Sequence, residues 1–143
     1  AFIYNDFLCQ TQERAEVITM PDKNGRRPFP NSIRHLIPDF WNNFNFPDIV
    51  AALAPRPIIL TEGGLDRDLN LVRKAYAIAG APGNVKVYHY KKFADPNTRK
   101  NVKHLPEGLD RNEYFRMVNV DGPNHYFKSE LVVPWLRELL EER

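Results

Sequence analysis

The chain has 143 residues, of which 43% are hydrophobic and 27% charged, with a formal net charge of +2. That length buries one core and falls short of two ordinary domains. The basic residues are dispersed among acids rather than gathered with aromatics, which argues against a nucleic-acid partner, and no apolar run approaches the roughly 20 residues that cross a bilayer, which argues against a membrane span.

In chain order, Phe2 to Leu8 reads as a first strand, and the polar stretch Gln10 to Arg27, with Pro21, Asn24 and Gly25, reads as a loop or excursion. Pro30-Asn31-Ser32 precedes Ile33, Leu36 and Ile37 at helical spacing. Pro47 and Asp48 then suit the first turn of a second short helix that carries Ile49, Val50 and Leu53 and ends at Pro55 and Pro57. Ile58-Ile59-Leu60 is a continuous apolar run between Pro and Gly, as in a strand buried on both faces of a parallel sheet.

From Asp68 to Ala79, the residues Leu69, Val72, Ala75, Tyr76 and Ala79 fall on one helical face, and Gly80 supplies a stop. Val85 to Tyr90 alternates as a strand. Residues 91–113 form a charged insert outside the sheet, with a short helix expected within it, and Tyr114 to Val120 returns as strand-like sequence. The terminal segment places Leu131, Val132, Trp135, Leu136, Leu139 and Leu140 on one helical face, with Pro134 requiring a start near Val132 or a kink. Strands alternating with helices predict an α/β fold with one domain over residues 1–143.

The chain opens inside an apolar run, Ala1-Phe2-Ile3-Tyr4, without the basic-then-apolar plan of a signal peptide, and reads as cut from something longer. Cys9 is the sole cysteine, so an intrachain disulfide is excluded; its expected place is the core of the first strand, and it leaves the compartment open.

Two short segments carry the chemistry. Gly63-Gly64-Leu65-Asp66 follows the buried strand, and Asn124-His125-Tyr126-Phe127 precedes the terminal helix. An acid on a strand-to-helix loop and a later His before a final helix suit two members of an acid, His and nucleophile relay. Neither of the two serines, Ser32 and Ser129, lies in a G-x-S-x-G elbow. The structural alternatives are plain: Asp66 or Asp68 as a helix cap, and His125 as a hydrogen-bonded surface residue. His35, His89 and His104 are weaker candidates for the base. Asp66, Asp68, Asp121 and His125 lack any metal-ligand spacing, and Glu62-Gly63-Gly64 lacks the G-x-G-x-x-G of a dinucleotide loop, so neither a metal nor a cofactor is expected. The aromatics from Phe40 to Phe46 suit either core packing or a substrate cleft.

The stretches Phe46 to Pro57, Ile58 to Asp66, Gly122 to Phe127 and Trp135 to Leu140 together resemble the C-terminal portion of an α/β-hydrolase, similar to acetyl xylan esterases and dienelactone-hydrolase-like proteins. The resemblance implies the C-terminal half of a mostly parallel sheet flanked by helices. It also implies an acid at Asp66, a base at His125, and a nucleophile upstream of Ala1. The long insert before His125 departs from the plain fold. The activity implied is carboxylic-ester hydrolysis, on a small-molecule or carbohydrate ester, with the isolated chain inactive. The expected partners, besides substrate, are an upstream segment that completes the sheet or a second copy of the chain. A non-catalytic binding or assembly module built on the same fold is the alternative.

Overall fold

A computed structural model describes residues 2–4, 24, 25, 43, 45–103, 106 and 109–141. Three short strands form a parallel sheet in the order β1 (Phe2–Tyr4), β2 (Ile58–Leu60), β3 (Val85–Val87). Ile58 lies opposite Phe2 on one side and Val85 on the other, so β2 is the central strand among those described. Its three residues are at most 1% exposed, as the continuous apolar run requires.

Side chains alternate across β2 and divide the core in two. Ile58 and Leu60 face a cluster that includes Val50, Leu69, Val72, Tyr76, Tyr114 and Val118, while Ile59 packs against Val132 and Trp135. The first cluster is supplied by helices α1 (Phe46–Ala51), α2 (Asp66–Ile78) and α3 (Arg111–Met117). The opposite face is covered by α4 (Ser129–Glu141). Lys86, in register with Ile59, extends from β3 to Glu138 of α4 at 2.8 Å. The result is a parallel sheet with helices on both faces.

Local signals explain most element ends. α2 stops where Gly80 takes φ +70°, with Ala81 N–H donating to the Tyr76 carbonyl and Gly80 N–H to that of Ala77, a Schellman closure. α4 runs continuously from Ser129 through Pro134, so the helix starts ahead of the proline rather than at Val132. The strand expected over Val85 to Tyr90 is shorter, ending at Val87, although Tyr88 N–H still donates to the Leu60 carbonyl at 2.8 Å.

The strand expected over Tyr114 to Val120 is a helix, α3. Asp110 accepts from the Asn112 and Glu113 amides at 2.9 Å, and Glu113 reaches back to the Asp110 amide at 2.9 Å. This capping box nucleates a turn whose Tyr114, Phe115 and Val118 share one buried face. The helix ends at Asn119, which adopts φ 61°, while Val120 N–H donates to the Phe115 carbonyl. The sequence Asp110-x-x-Glu113 outweighs the β-propensity of Tyr114, Phe115 and Val118.

Within residues 91–103, Lys91–Phe93 and Pro96–Thr98 form 3-10 turns, and Phe93 enters the main core. Asn119 ties this segment down: its Oδ1 accepts from the Lys100 amide at 2.6 Å, and its Nδ2 donates to the Lys100 carbonyl at 2.9 Å and the Gly64 carbonyl at 3.1 Å. The residue is fully buried, so these partners lose water if the side chain is removed. Asn119→Ala is expected to cost about 2–3 kcal/mol in urea unfolding; Asn119→Gly should cost less, because glycine relieves the left-handed backbone. Equal losses would show that the backbone conformation contributes little.

Candidate active site

Beyond Leu60 the chain leaves the sheet through Thr61, Glu62, Gly63 and Gly64, all buried. This is the C-terminal end of the parallel strands, where open α/β sheets collect their functional groups. Gly63 has φ +68°, and a Cβ there would sit 2.4 Å from His89 Nδ1. Only glycine supplies both the backbone conformation and the space, so the turn folds tightly enough to send the Glu62 side chain inward.

Glu62 Oε2 meets His125 Nδ1 at 2.6 Å. Its other oxygen, Oε1, accepts from the Tyr126 amide at 3.1 Å and from Lys128 Nζ at 3.2 Å. The Glu62 side chain is 4% exposed and that of His125 is 26% exposed, so a buried carboxylate grips a half-open imidazole. Tyr90 Oη lies 3.4 Å from the same His125 nitrogen, and the Phe115 ring stands 6.1 Å from the imidazole, centroid to centroid. The His loop itself begins with a 3-10 turn, Gly122–Asn124, pinned by Asp121, whose carboxylate takes Lys92 at 2.8 Å and Asn124 at 2.7 Å. Those two hydrogen bonds hold the Asp121 carboxyl below its ordinary range.

Chemically, a carboxylate on Nδ1 selects the tautomer that carries its proton there and its lone pair on Nε2. It also stabilises the imidazolium that forms when Nε2 takes a proton. The pair therefore has the geometry of a general base with its orienting acid.

Asp66, expected as that acid, stands elsewhere. It is the first residue of α2, and its Oδ1 accepts from Arg99 Nη1 at 2.6 Å. The same Arg99 nitrogen lies 3.2 Å from His89 Nε2. The three residues between Glu62 and Asp66 carry the chain out of the turn and into a helix, so Asp66 faces the 91–103 segment instead of the His loop. In the first turn of α2 its charge also complements the helix dipole. Asp66 is thus an anchor for Arg99, whose side chain is only 10% exposed.

Glu62 directly follows the buried strand, and that position is the sequence signal for it as an acid. Lys128, three residues past His125, is buried in the structure, and a buried cation demands a buried anion; that burial is not legible in the sequence.

Ser129 is exposed at the start of α4. Asp68 pairs with Arg67 at 3.5 Å. Among the described residues, no three His, Cys, Asp or Glu side chains gather as a metal would need. No described helix is long and apolar enough to cross a membrane. The readings for Cys9, Ser32, His35, His104, the first helix and most of the Phe40 to Phe46 stretch fall outside the described residues. A cavity of about 320 Å³ is lined by Thr61, His89, Tyr90, Asn124 and Tyr126 among others, but by neither Glu62 nor His125.

Burial first, then the Arg99 charge, push His89 below the ordinary histidine value of 6.5. Below that value the unfolded chain takes up a proton that folded His89 refuses, so stability is lost as pH falls from about 6.5 toward the lowered value. In an NMR titration Arg99→Met should move the His89 midpoint upward, and His89→Asn should flatten the dependence of stability on pH between about 7 and 5. An unmoved midpoint contradicts the assigned contact.

Comparison with known proteins agrees with this architecture. The Abhydrolase family matches residues 1–138. A crystal structure from Bacteroides fragilis NCTC 9343, of a protein provisionally named an acetyl xylan esterase, is 91% identical, with a TM-score of 0.83 over 97% of this chain. The chain spans 36% of the length of that protein. No protein with a curated description matches. With nearly its whole length matched and its helices packed on both faces of a parallel sheet, the chain belongs to the Abhydrolase family and carries part of an α/β-hydrolase fold.

Proposed function

We propose that the chain is the acid-and-base half of a carboxylic-ester hydrolase in which Glu62, rather than Asp66, orients His125. The observation that carries this reading is the 2.6 Å contact between Glu62 Oε2 and His125 Nδ1. The nucleophile is a serine on a segment upstream of Ala1, presented to the C-terminal end of the sheet. Acetylated carbohydrate is the substrate class favoured, on the strength of the name carried by the B. fragilis relative.

In this mechanism His125 Nε2 takes the serine proton as the serine oxygen adds to the ester carbonyl carbon. Glu62 stabilises the resulting imidazolium through Nδ1. Collapse of the tetrahedral adduct breaks the bond to the alcohol, which leaves with the proton returned from Nε2. Water then attacks the acetyl-enzyme, with the same nitrogen accepting its proton, to release acetate and restore serine. Donors for the oxyanion are assigned to the upstream segment, so the isolated chain has no covalent route and no measurable turnover. Residues 91–113 act here as an insert, of which the described stretch 91–103 braces the acid turn.

Two assays test the reading. The isolated chain should hydrolyse an activated acetyl ester no faster than its His125→Ala variant; turnover abolished by that substitution would contradict the inactive-half account. When the chain is co-produced with an upstream segment bearing G-x-S-x-G, Glu62→Gln should lower kcat/KM on acetylated xylan by about 10³- to 10⁴-fold. Asp66→Asn should lower it by less than about tenfold while costing about 1–3 kcal/mol of stability through the stranded Arg99. The reverse ranking would return the acid role to Asp66.

A further inference from the structure

Lys128 carries a charge where charges are costly: its side chain is 8% exposed, just ahead of the terminal helix α4. All three ammonium protons have acceptors. One goes to Glu62 Oε1 at 3.2 Å, one to the Tyr126 carbonyl at 3.0 Å, and one to the Asn124 carbonyl. Asn124 and Tyr126 are the residues on either side of His125. The nitrogen also stands 3.5 Å from the centroid of the Tyr126 ring and 5.4 Å from that of Tyr90, so two aromatic faces complete its solvation.

This arrangement does two things at once. By holding both neighbouring carbonyls, Lys128 fixes the backbone that aims the imidazole. By pairing with Glu62, it supplies the positive charge that a buried carboxylate requires, a charge that His125 would otherwise furnish by keeping a second proton. A His125 that is already an imidazolium has no lone pair with which to accept a proton.

We infer that Lys128 is a positioning residue that brackets His125 and, as the counter-charge to Glu62, keeps the imidazole in its neutral, Nδ1-protonated form. The inference rests on the Glu62–His125 reading above and concerns how that pair is held ready. The groups facing His125 include Glu62 from the end of β2, Tyr90 beyond β3 and Phe115 from α3, with Lys128, ahead of α4, behind Glu62; Asp121, paired with Lys92, lies in the same loop. Of these, Lys128 is the cation within ion-pair distance of Glu62 among the described residues.

The test is ¹⁵N NMR of the histidine ring nitrogens in the full chain, at a pH of about 8, where an ordinary histidine is neutral. The wild-type chain should give the His125 pattern of a neutral ring protonated at Nδ1. In Lys128→Met, which keeps length and packing but removes charge and donors, that pattern should be lost to the doubly protonated ring or to mixed tautomers. Lys128→Arg, which retains charge and donors, should restore it. The Trp135 indole signal reports whether α4 remains docked; if the Met variant loses it, Lys128→Gln is read instead, with the same loss expected. An unchanged His125 pattern in a folded Met or Gln variant overturns the inference. A wild-type ring that lacks the Nδ1 proton overturns it too, together with the Glu62 pairing, whereas loss of esterase activity in the completed enzyme with these patterns intact bears on the proposed function alone.

Discussion

The buried carboxylate of Glu62 is the constraint around which the rest of this structure is arranged. A side chain 4% exposed cannot keep its charge without full compensation, and here the compensation is an imidazole, a backbone amide and an ammonium, all drawn from the four residues His125 to Lys128. The stretch Asn124 to Lys128 therefore has no freedom to wander: the same anion that orients His125 also fixes the backbone before α4. The hydrophobic contacts of Val132 and Trp135 with Ile59 anchor the far end of that connection. The loop is held by charge on one side and apolar burial on the other.

The anion must itself be presented rigidly, and that task falls to the Gly63-Gly64 turn. Its close packing on His89 leaves no room for a Cβ, and its carbonyl at Gly64 is held by Asn119. Asn119 in turn holds both backbone groups of Lys100, so the 91–103 segment becomes a brace for the Gly63-Gly64 turn. Arg99 adds a second tie, through Asp66 at the head of α2 and through His89. Charge pairs and a left-handed asparagine thus tie the 91–103 segment to the turn that carries Glu62.

Much of this was legible from residues alone. The apolar triplet Ile58 to Leu60, the helical face of Leu69, Val72 and Tyr76, the stop at Gly80 and the His before a terminal helix all act locally, and local signals survive into the folded state. Two features do not follow from these local signals. Tyr114 to Val120 carries residues that suit a strand, but the capping box at Asp110 and Glu113 decides the matter a turn earlier. The choice between Glu62 and Asp66 depends on which carboxylate the turn carries toward a loop more than fifty residues away, a long-range fact that spacing does not encode. Lys128 becomes informative only once its burial is known, because a buried lysine beside a candidate base implies a buried acid, and Glu62 is the acid nearest the end of the buried strand.

The central claim is that Glu62, and not Asp66, is hydrogen-bonded to His125. The most direct measurement is the low-field proton resonance of a histidine Nδ1–H held by a carboxylate, followed in the wild-type chain and in Glu62→Gln and Asp66→Asn variants. The account predicts that the resonance disappears in Glu62→Gln and persists in Asp66→Asn. Loss in Asp66→Asn with retention in Glu62→Gln would contradict it.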